Sequence, residues 1–184
     1  GAIFVPDQIW TQDSPGIEDL TEPFDQFGWS LAAGDFNNDG YSDLAIGVPW
    51  EGVNTPDVPQ AGAVNVIYGS PSGLNATFVP DQFWYQDTPG IKGRAEAIDQ
   101  FGGESLAAGD FNNDGRSDLA IGVLHEDLYD ANDDFVIDAG AIHTIYGSAS
   151  GLSVAGNQVF HQDTENVEDS IEADDLFGRS LVSG

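Results

Sequence analysis

The 184-residue chain carries 32 Asp and Glu against four Lys and Arg, a net charge of −28 at pH 7, yet 40 % of it is hydrophobic and it holds eleven Phe, four Trp and five Tyr. That apolar share excludes a disordered acidic tail, and the charge makes nucleic acid and anionic membrane poor partners. With no Cys there are neither disulfides nor thiolate metal sites, and no run approaches the roughly 18 apolar residues of a membrane span. A cationic partner or a saline medium suits such a surface better. The opening Gly1-Ala2-Ile3-Phe4 has no initiator Met and no signal peptide, which reads as a processed chain or one cut from something larger.

In chain order, Val5-Pro6-Asp7-Gln8-Ile9-Trp10-Thr11-Gln12-Asp13 reads as a strand, and Phe27-Gly28 precedes a second strand at 30–34. A polar loop, 35–43, then leads to a strand at 44–48. In the run 63–68, Val64, Val66 and Tyr68 alternate with Ala63, Asn65 and Ile67, a period of two and not 3.6. The turn Gly69-Ser70-Pro71-Ser72-Gly73 separates it from Val79-Pro80-Asp81-Gln82-Phe83-Trp84-Tyr85-Gln86-Asp87, which resembles the opening run.

The series then starts again. Phe101-Gly102, strands at 105–109, 119–123 and 141–146, the turn Gly147-Ser148-Ala149-Ser150-Gly151 and a run around Val159 repeat the order, followed by Phe177-Gly178 and a first strand at 180–184. Gln8, Gln82 and Gln158 stand 74 and then 76 residues apart, as do Phe27, Phe101 and Phe177. No helical stretch competes. The pattern predicts an all-β chain of four-stranded antiparallel blades, because Ala45, Gly47, Ala120 and Gly122 leave room for neighbouring sheets to approach near a common axis.

Within each unit the loop after the first strand carries chemistry. Asp35, Asn37, Asp39 and Asp43 hold positions 1, 3, 5 and 9, with Gly40 at position 6 and the Tyr41 carbonyl available at 7; Asp110, Asn112, Asp114, Asp118, Gly115 and the Arg116 carbonyl repeat the set. A hard cation such as Ca²⁺ takes six to eight oxygens at about 2.3–2.6 Å, and three carboxylates crowded in one loop repel without one. Asn, Asp and Gly are also the residues of any solvated turn. An EF-hand needs a Glu at position 12, where Ile46 and Ile121 stand, so the cradle belongs to a β-hairpin. Two such ions would bring the charge to about −24.

Phe27-Gly28, the aspartate loop and Leu44-Ala45-Ile46-Gly47-Val48-Pro49 together resemble the FG-GAP repeat of integrin α-subunit propellers and related bacterial surface proteins. Copy two departs mildly, with Leu124 where the proline stands in copy one. The resemblance implies a seven-bladed β-propeller with calcium in the hairpins between first and second strands. It further implies a non-enzymatic, secreted or cell-surface role in adhesion or recognition of an extracellular protein or glycan. On this reading 1–15 is the fourth strand of a preceding blade, 24–88 and 98–164 are two full blades, and 175–184 opens a following one. The segment would then belong to a longer propeller, or several copies would assemble as a homo-oligomer through open strand edges. An accessory propeller of a secreted hydrolase, or a purely structural repeat array, are the alternatives, and fold alone does not choose.

Three further features complete the reading. Asp130, Asn132, Asp134 and Asp138 repeat the 1, 3, 5, 9 spacing in a longer loop of copy two, as a third calcium site or a solvated acidic loop, with Phe135 where the turn glycine belongs. His125, His143 and His161 lack the spacing of a zinc or catalytic set, and His161 is expected on an exposed strand face. Trp10, Trp84 and Phe160 share one repeat position and are expected to pack, whereas Trp29 and Trp50 have no aromatic counterpart and are expected at an exposed contact.

Overall fold

The computed structural model describes residues 7–53 and 57–183, and among them every regular element is a strand. Strands β1 (Leu31–Gly34), β2 (Asp43–Val48), β3 (Ala63–Ile67) and β4 (Gln82–Trp84) form one antiparallel sheet in that order. In the second sheet β5 (Leu106–Gly109), β6 (Asp118–Val123), β9 (Ala141–Ser148) and β10 (Gly151–Phe160) are likewise ordered along the chain. Corresponding pairs keep one register: Leu31 faces Ile46 as Leu106 faces Ile121, and Gly47 faces Val64 as Gly122 faces Ile142. These are blades of the propeller kind.

Three details differ from the sequence expectation. The long loop of blade two folds back as a two-stranded hairpin, β7 (Leu128–Tyr129) with β8 (Phe135–Val136). Strand β10 begins at Gly151, the last residue of the expected turn, and absorbs a register shift between Ser153 and Gln158. Neither 7–13 nor 180–183 is a strand, because neither has a neighbouring strand to share hydrogen bonds with among the described residues. Residues 5 and 6 of the first expected strand and Gly184 of the last lie outside the described residues.

Pleating explains why β3 is buried on both faces despite its period-two sequence. Ala45, Val64 and Val66 point toward the second blade, where they meet Phe101, Leu119, Ile121 and Ile145 in the main core. Ile46 and Ile67 point the other way and are covered by Trp10, Ile17 and Phe27 of the segment preceding β1. Trp84 is buried and Trp10 packed, while Trp29 and Trp50 are 58 % and 38 % exposed. The outer face of blade two, lined by Ala107, Ala120, Ile142, Thr144 and Phe160, borders an open depression of about 330 Å³.

The two blades meet through backbone. Gly102 donates its N–H to Gly122 of its own blade at 2.9 Å, while its carbonyl accepts the Ser30 hydroxyl of the preceding blade at 2.5 Å. A β-carbon on Gly47 would lie 2.1 Å from that same carbonyl oxygen. The arrangement recurs one unit on, with Ser105 donating to the Gly178 carbonyl at 2.6 Å and a β-carbon on Gly122 falling 2.3 Å from it. Gly47→Ala should therefore cost about 1–3 kcal/mol by overpacking against backbone that cannot yield. Gly40→Ala, which has nothing within 4 Å of the new carbon, carries only conformational strain. Urea unfolding checks this, and equal stability of Gly47→Ala and wild type would remove the close approach as a constraint.

Candidate metal centre

Both aspartate loops fold alike. In the first, Asp35 accepts the N–H of Asp39 at 3.0 Å and of Gly40 at 2.9 Å, Asn37 accepts Asp39 N–H at 3.0 Å, and Asp39 accepts Tyr41 N–H at 2.9 Å. Asp110, Asn112 and Asp114 accept Asp114, Gly115 and Arg116 N–H in the same pattern at 2.8–3.0 Å. Asn38 and Gly40 have φ of 57° and 89°, and Asn113 and Gly115 of 60° and 87°. Asn and Gly stand at these two positions because a left-handed backbone strains most other residues.

The ninth-position carboxylate is the anchor. Asp43 is 1 % exposed, and its two oxygens accept Phe36 N–H and Gly69 N–H at 2.8 Å each, tying the hairpin to the end of β3. Asp118 accepts Phe111 and Gly147 N–H at 2.9 Å in the same way. Burial chiefly, with Asp39 and Asp35 adding like charge, raises the Asp43 carboxyl to about 6; Asp118 is raised too, again mainly by burial. A cation among Asp35, Asp39 and Asp43 would relieve that penalty, so the donor set fits a hard divalent ion. Ile46 and Ile121, at position 12, are buried strand residues. The cradles also touch each other: Asp35 N–H donates to the Ser117 hydroxyl at 3.1 Å and Ser117 N–H to the Asp35 carbonyl at 3.0 Å. In the second cradle Arg116 Nη1 lies 3.8 Å from Asp114 Oδ2, so a cationic side chain already faces one ligand there.

The third acidic loop is built differently. Asp130 accepts Asn132 and Asp134 N–H at 2.8 and 2.9 Å, but Asp138 is turned away to His125, 3.0 Å from its Nδ1. Its backbone N–H meets Asp127 instead. His143 is buried and His161, just past β10, is half-buried and not on an open face. Around Trp50 and Phe24 a depression of about 240 Å³ is edged by Glu22, Asp25, Asp57 and Gln60.

Sequence reasoning passed over a second group of acids. Gln12 donates to Glu51 at 2.8 Å and Gln86 to Glu126 at 2.5 Å, and these four side chains are buried with Asp25 and Asp99. The signal that could have found them is the repeat itself, which places Gln, Glu, Asp and Glu at matching positions in both units.

Two four-stranded antiparallel sheets joined face to face, each carrying one copy of the aspartate hairpin, define a protein of β-propeller blades. Residues 27–67 and 102–143 match the FG-GAP repeat, and the chain is built of FG-GAP repeats. Over 132 residues, 72 % of the chain, it is 33 % identical to the phosphatidylinositol-glycan-specific phospholipase D of Rattus norvegicus. It is 30 % identical over 169 residues, 89 % of the chain, to integrin alpha-3 of Cricetulus griseus. To integrin alpha-E of Mus musculus it is 34 % identical over 102 residues, 53 % of the chain. The matched stretch is 14 % of each of the first two proteins and 8 % of the third.

The buried carboxyls set a pH dependence. Asp99 is raised to about 7 and Glu126 to about 8, burial acting first and neighbouring acids second; Glu51 is raised by burial, then by Asp19 and Asp25. Each holds a proton in the folded state that the unfolded chain has released above about pH 4. Their stabilisation is complete below that value and is lost as pH rises through about 7 for Asp99, about 8 for Glu126 and higher for Glu51. In chelator the melting temperature should fall across this range, and Glu126→Gln should flatten the fall. Calorimetry at stepped pH reads it; an unchanged slope in Glu126→Gln would count against a protonated Glu126.

Proposed function

We propose that this chain is a calcium-stapled segment of a non-catalytic, extracellular recognition propeller, secreted or displayed at a cell surface. The observation that carries the reading is the duplicated hairpin cradle, in which a buried ninth-position Asp fastens the loop to the third strand and cradle one is hydrogen-bonded to cradle two. Asp35, Asn37, Asp39, Asp43 and the Tyr41 carbonyl hold one ion; Asp110, Asn112, Asp114, Asp118 and the Arg116 carbonyl hold the other. The loop at Asp130 has lost its ninth-position donor to His125 and takes no part. When bound, calcium would compensate the clustered carboxylates and so hold each hairpin in shape.

The outer face of blade two presents Ala120, Gly122, Ile142 and Thr144 in the register by which Ala45, Gly47, Val64 and Val66 of blade one meet their neighbour. This supports a further blade lying there, from a longer chain or a second copy. The partner, a protein or a glycan, is assigned to the exposed Phe24 and Trp50 at the Glu22 depression, with the exposed Trp29 as a further contact candidate of the same blade. No helix among the described residues is long and apolar enough to cross a membrane. The similarity to integrin alpha chains supports the adhesion reading, and the similarity to a phospholipase D favours a second one, an accessory propeller of a hydrolase.

With free calcium ten- to a hundredfold above its dissociation constant, linkage gives about 1.4–2.7 kcal/mol per site. Asp39→Ala should accordingly lower the melting temperature in calcium and hardly move it in chelator; equal losses in both media would refute structural calcium. A hydrolase substrate panel on the full-length protein separates the second reading from the first.

A further inference from the structure

Beside the first cradle lies a depression of about 330 Å³ whose walls include Asp39, Tyr41, Pro71, Ser72, Asn75 and Phe78. These walls are where blade one departs from blade two. Arg116 stands in place of Tyr41 and Ala149 in place of Pro71. Between the turn glycine and the fourth-strand run blade one has five residues, 74–78, where blade two has three, 152–154. Phe78 belongs to the longer stretch and is 84 % exposed, and Tyr41 is 40 % exposed. Residues that break a repeat are free of the demands of the shared fold, and here they converge on one hollow.

The same stretch carries Asn75-Ala76-Thr77, the acceptor triplet for an N-linked glycan, and no other Asn of the chain has Ser or Thr two residues on. Asn75 N–H donates to the Tyr68 carbonyl at 2.8 Å, which pins the triplet to the residue following β3. Its side-chain oxygen accepts Thr77 N–H, the Thr77 hydroxyl and Phe78 N–H, each at 2.9 Å. Backbone N–H groups only donate, so these bonds fix which end of the amide is oxygen. The amide nitrogen is left over, with no protein partner among the described residues, and Thr77 and Phe78 next to it are exposed. The turn itself does not require an amide. Ser153, the matching residue of blade two, serves it with a hydroxyl that accepts Ala155 N–H at 3.2 Å.

We propose that Asn75 is the attachment site of an N-linked glycan whose first sugar lies in this depression, against Tyr41 and Phe78 and beside the first cradle. The inference rests on the extracellular reading, since such a glycan is added as a chain enters a secretory compartment. In the transfer Asn75 Nδ2 forms a bond to the anomeric carbon of a lipid-linked sugar diphosphate. The bond from that carbon to the phosphate oxygen breaks, its electron pair leaving on the phosphate, and Nδ2 gives up one proton. A pyranose ring has apolar C–H faces that pack on aromatic rings, and edge hydroxyls for which the wall offers Ser72. Seated there, the sugar covers Phe78 and braces the cradle loop through Tyr41. Strand β2 runs from this end of the sheet toward Trp50, so the glycan leaves the Phe24 and Trp50 surface open.

To test this, the full chain is produced behind a secretion signal in eukaryotic cells, and medium and cell lysate are both mapped by peptide mass spectrometry. The peptide holding Asn75 should carry a glycan mass that peptide-N-glycosidase removes, and Asn75→Ser should lack it. The seat is read by melting temperature. Protein trimmed by an endoglycosidase to its first sugar should melt about 2–4 °C above protein stripped of it, and Phe78→Ala should abolish the difference. An unmodified Asn75 in both fractions overturns the inference and leaves the extracellular and calcium readings as they were. Equal melting of trimmed and stripped wild type overturns it too, a comparison that holds even if Phe78→Ala does not fold. A glycan on chain that the cells retain upholds the inference while counting against the extracellular reading.

Discussion

The structure depends on one close approach, backbone against backbone, where the Phe-Gly turn of one blade meets the second strand of the blade before it. Gly47 and Gly122 lack a side chain there because the carbonyls of Gly102 and Gly178 occupy the space. Once the turn is seated, Phe101 is delivered into the core between the sheets, completely buried beside Val64 and Ile121. The serine opening the first strand caps the same carbonyl, so the seam has a steric and a hydrogen-bonded component. Blade spacing, and with it the proximity of the two aspartate cradles, follows from this contact.

The second theme is the placement of negative charge. A net charge of −28 could be spread over solvent, where screening makes it nearly harmless. Instead Asp25, Asp43, Glu51, Asp81, Asp99, Asp118 and Glu126 are all buried, and burial is the leading cause of every raised carboxyl among them. Asp81 shows a purely structural solution: its two oxygens share the Glu18 N–H and one also accepts the Asn65 amide, two donors that satisfy one carboxylate. Glu51 and Glu126 have fewer donors and closer acid neighbours, a less satisfied arrangement than that of Asp81.

Much of this was legible in the residues. Period-two alternation located β3, the paired glycines located the seam, and the duplicated 1, 3, 5, 9 spacing located the cradles, since all three signals lie within a few consecutive residues. What escaped notice depends on distant contacts. The Tyr129–Phe135 pair that closes β7 on β8, with ring centroids 5.4 Å apart, looks in sequence like an acidic loop interrupted by aromatics. Asp138 resembled a ninth-position ligand until His125, thirteen residues earlier, was brought to it. Glu51 and Gln12 are 39 residues apart, so neither suggested the other, although the second repeat contains the same pair.

The cradles are equal in sequence position but not in surroundings. Phe36 in the first is completely buried by the second blade, whereas Phe111 in the second is 48 % exposed. Arg116 faces Asp114 across 3.8 Å, while the first loop has Tyr41 at that position and no cation. An ion entering the second cradle would meet a partly neutralised ligand and a loop less held by its neighbours; one entering the first would meet full charge on a loop packed against the second blade. On the calcium reading the first cradle is therefore the tighter of the two. The Asp35–Ser117 hydrogen bonds make the coupling mutual, since ordering either loop fixes a partner of the other. On that reading an ion in either cradle would hold the shape of its hairpin and, through the Asp35–Ser117 contact, bear on how the two blades sit against each other.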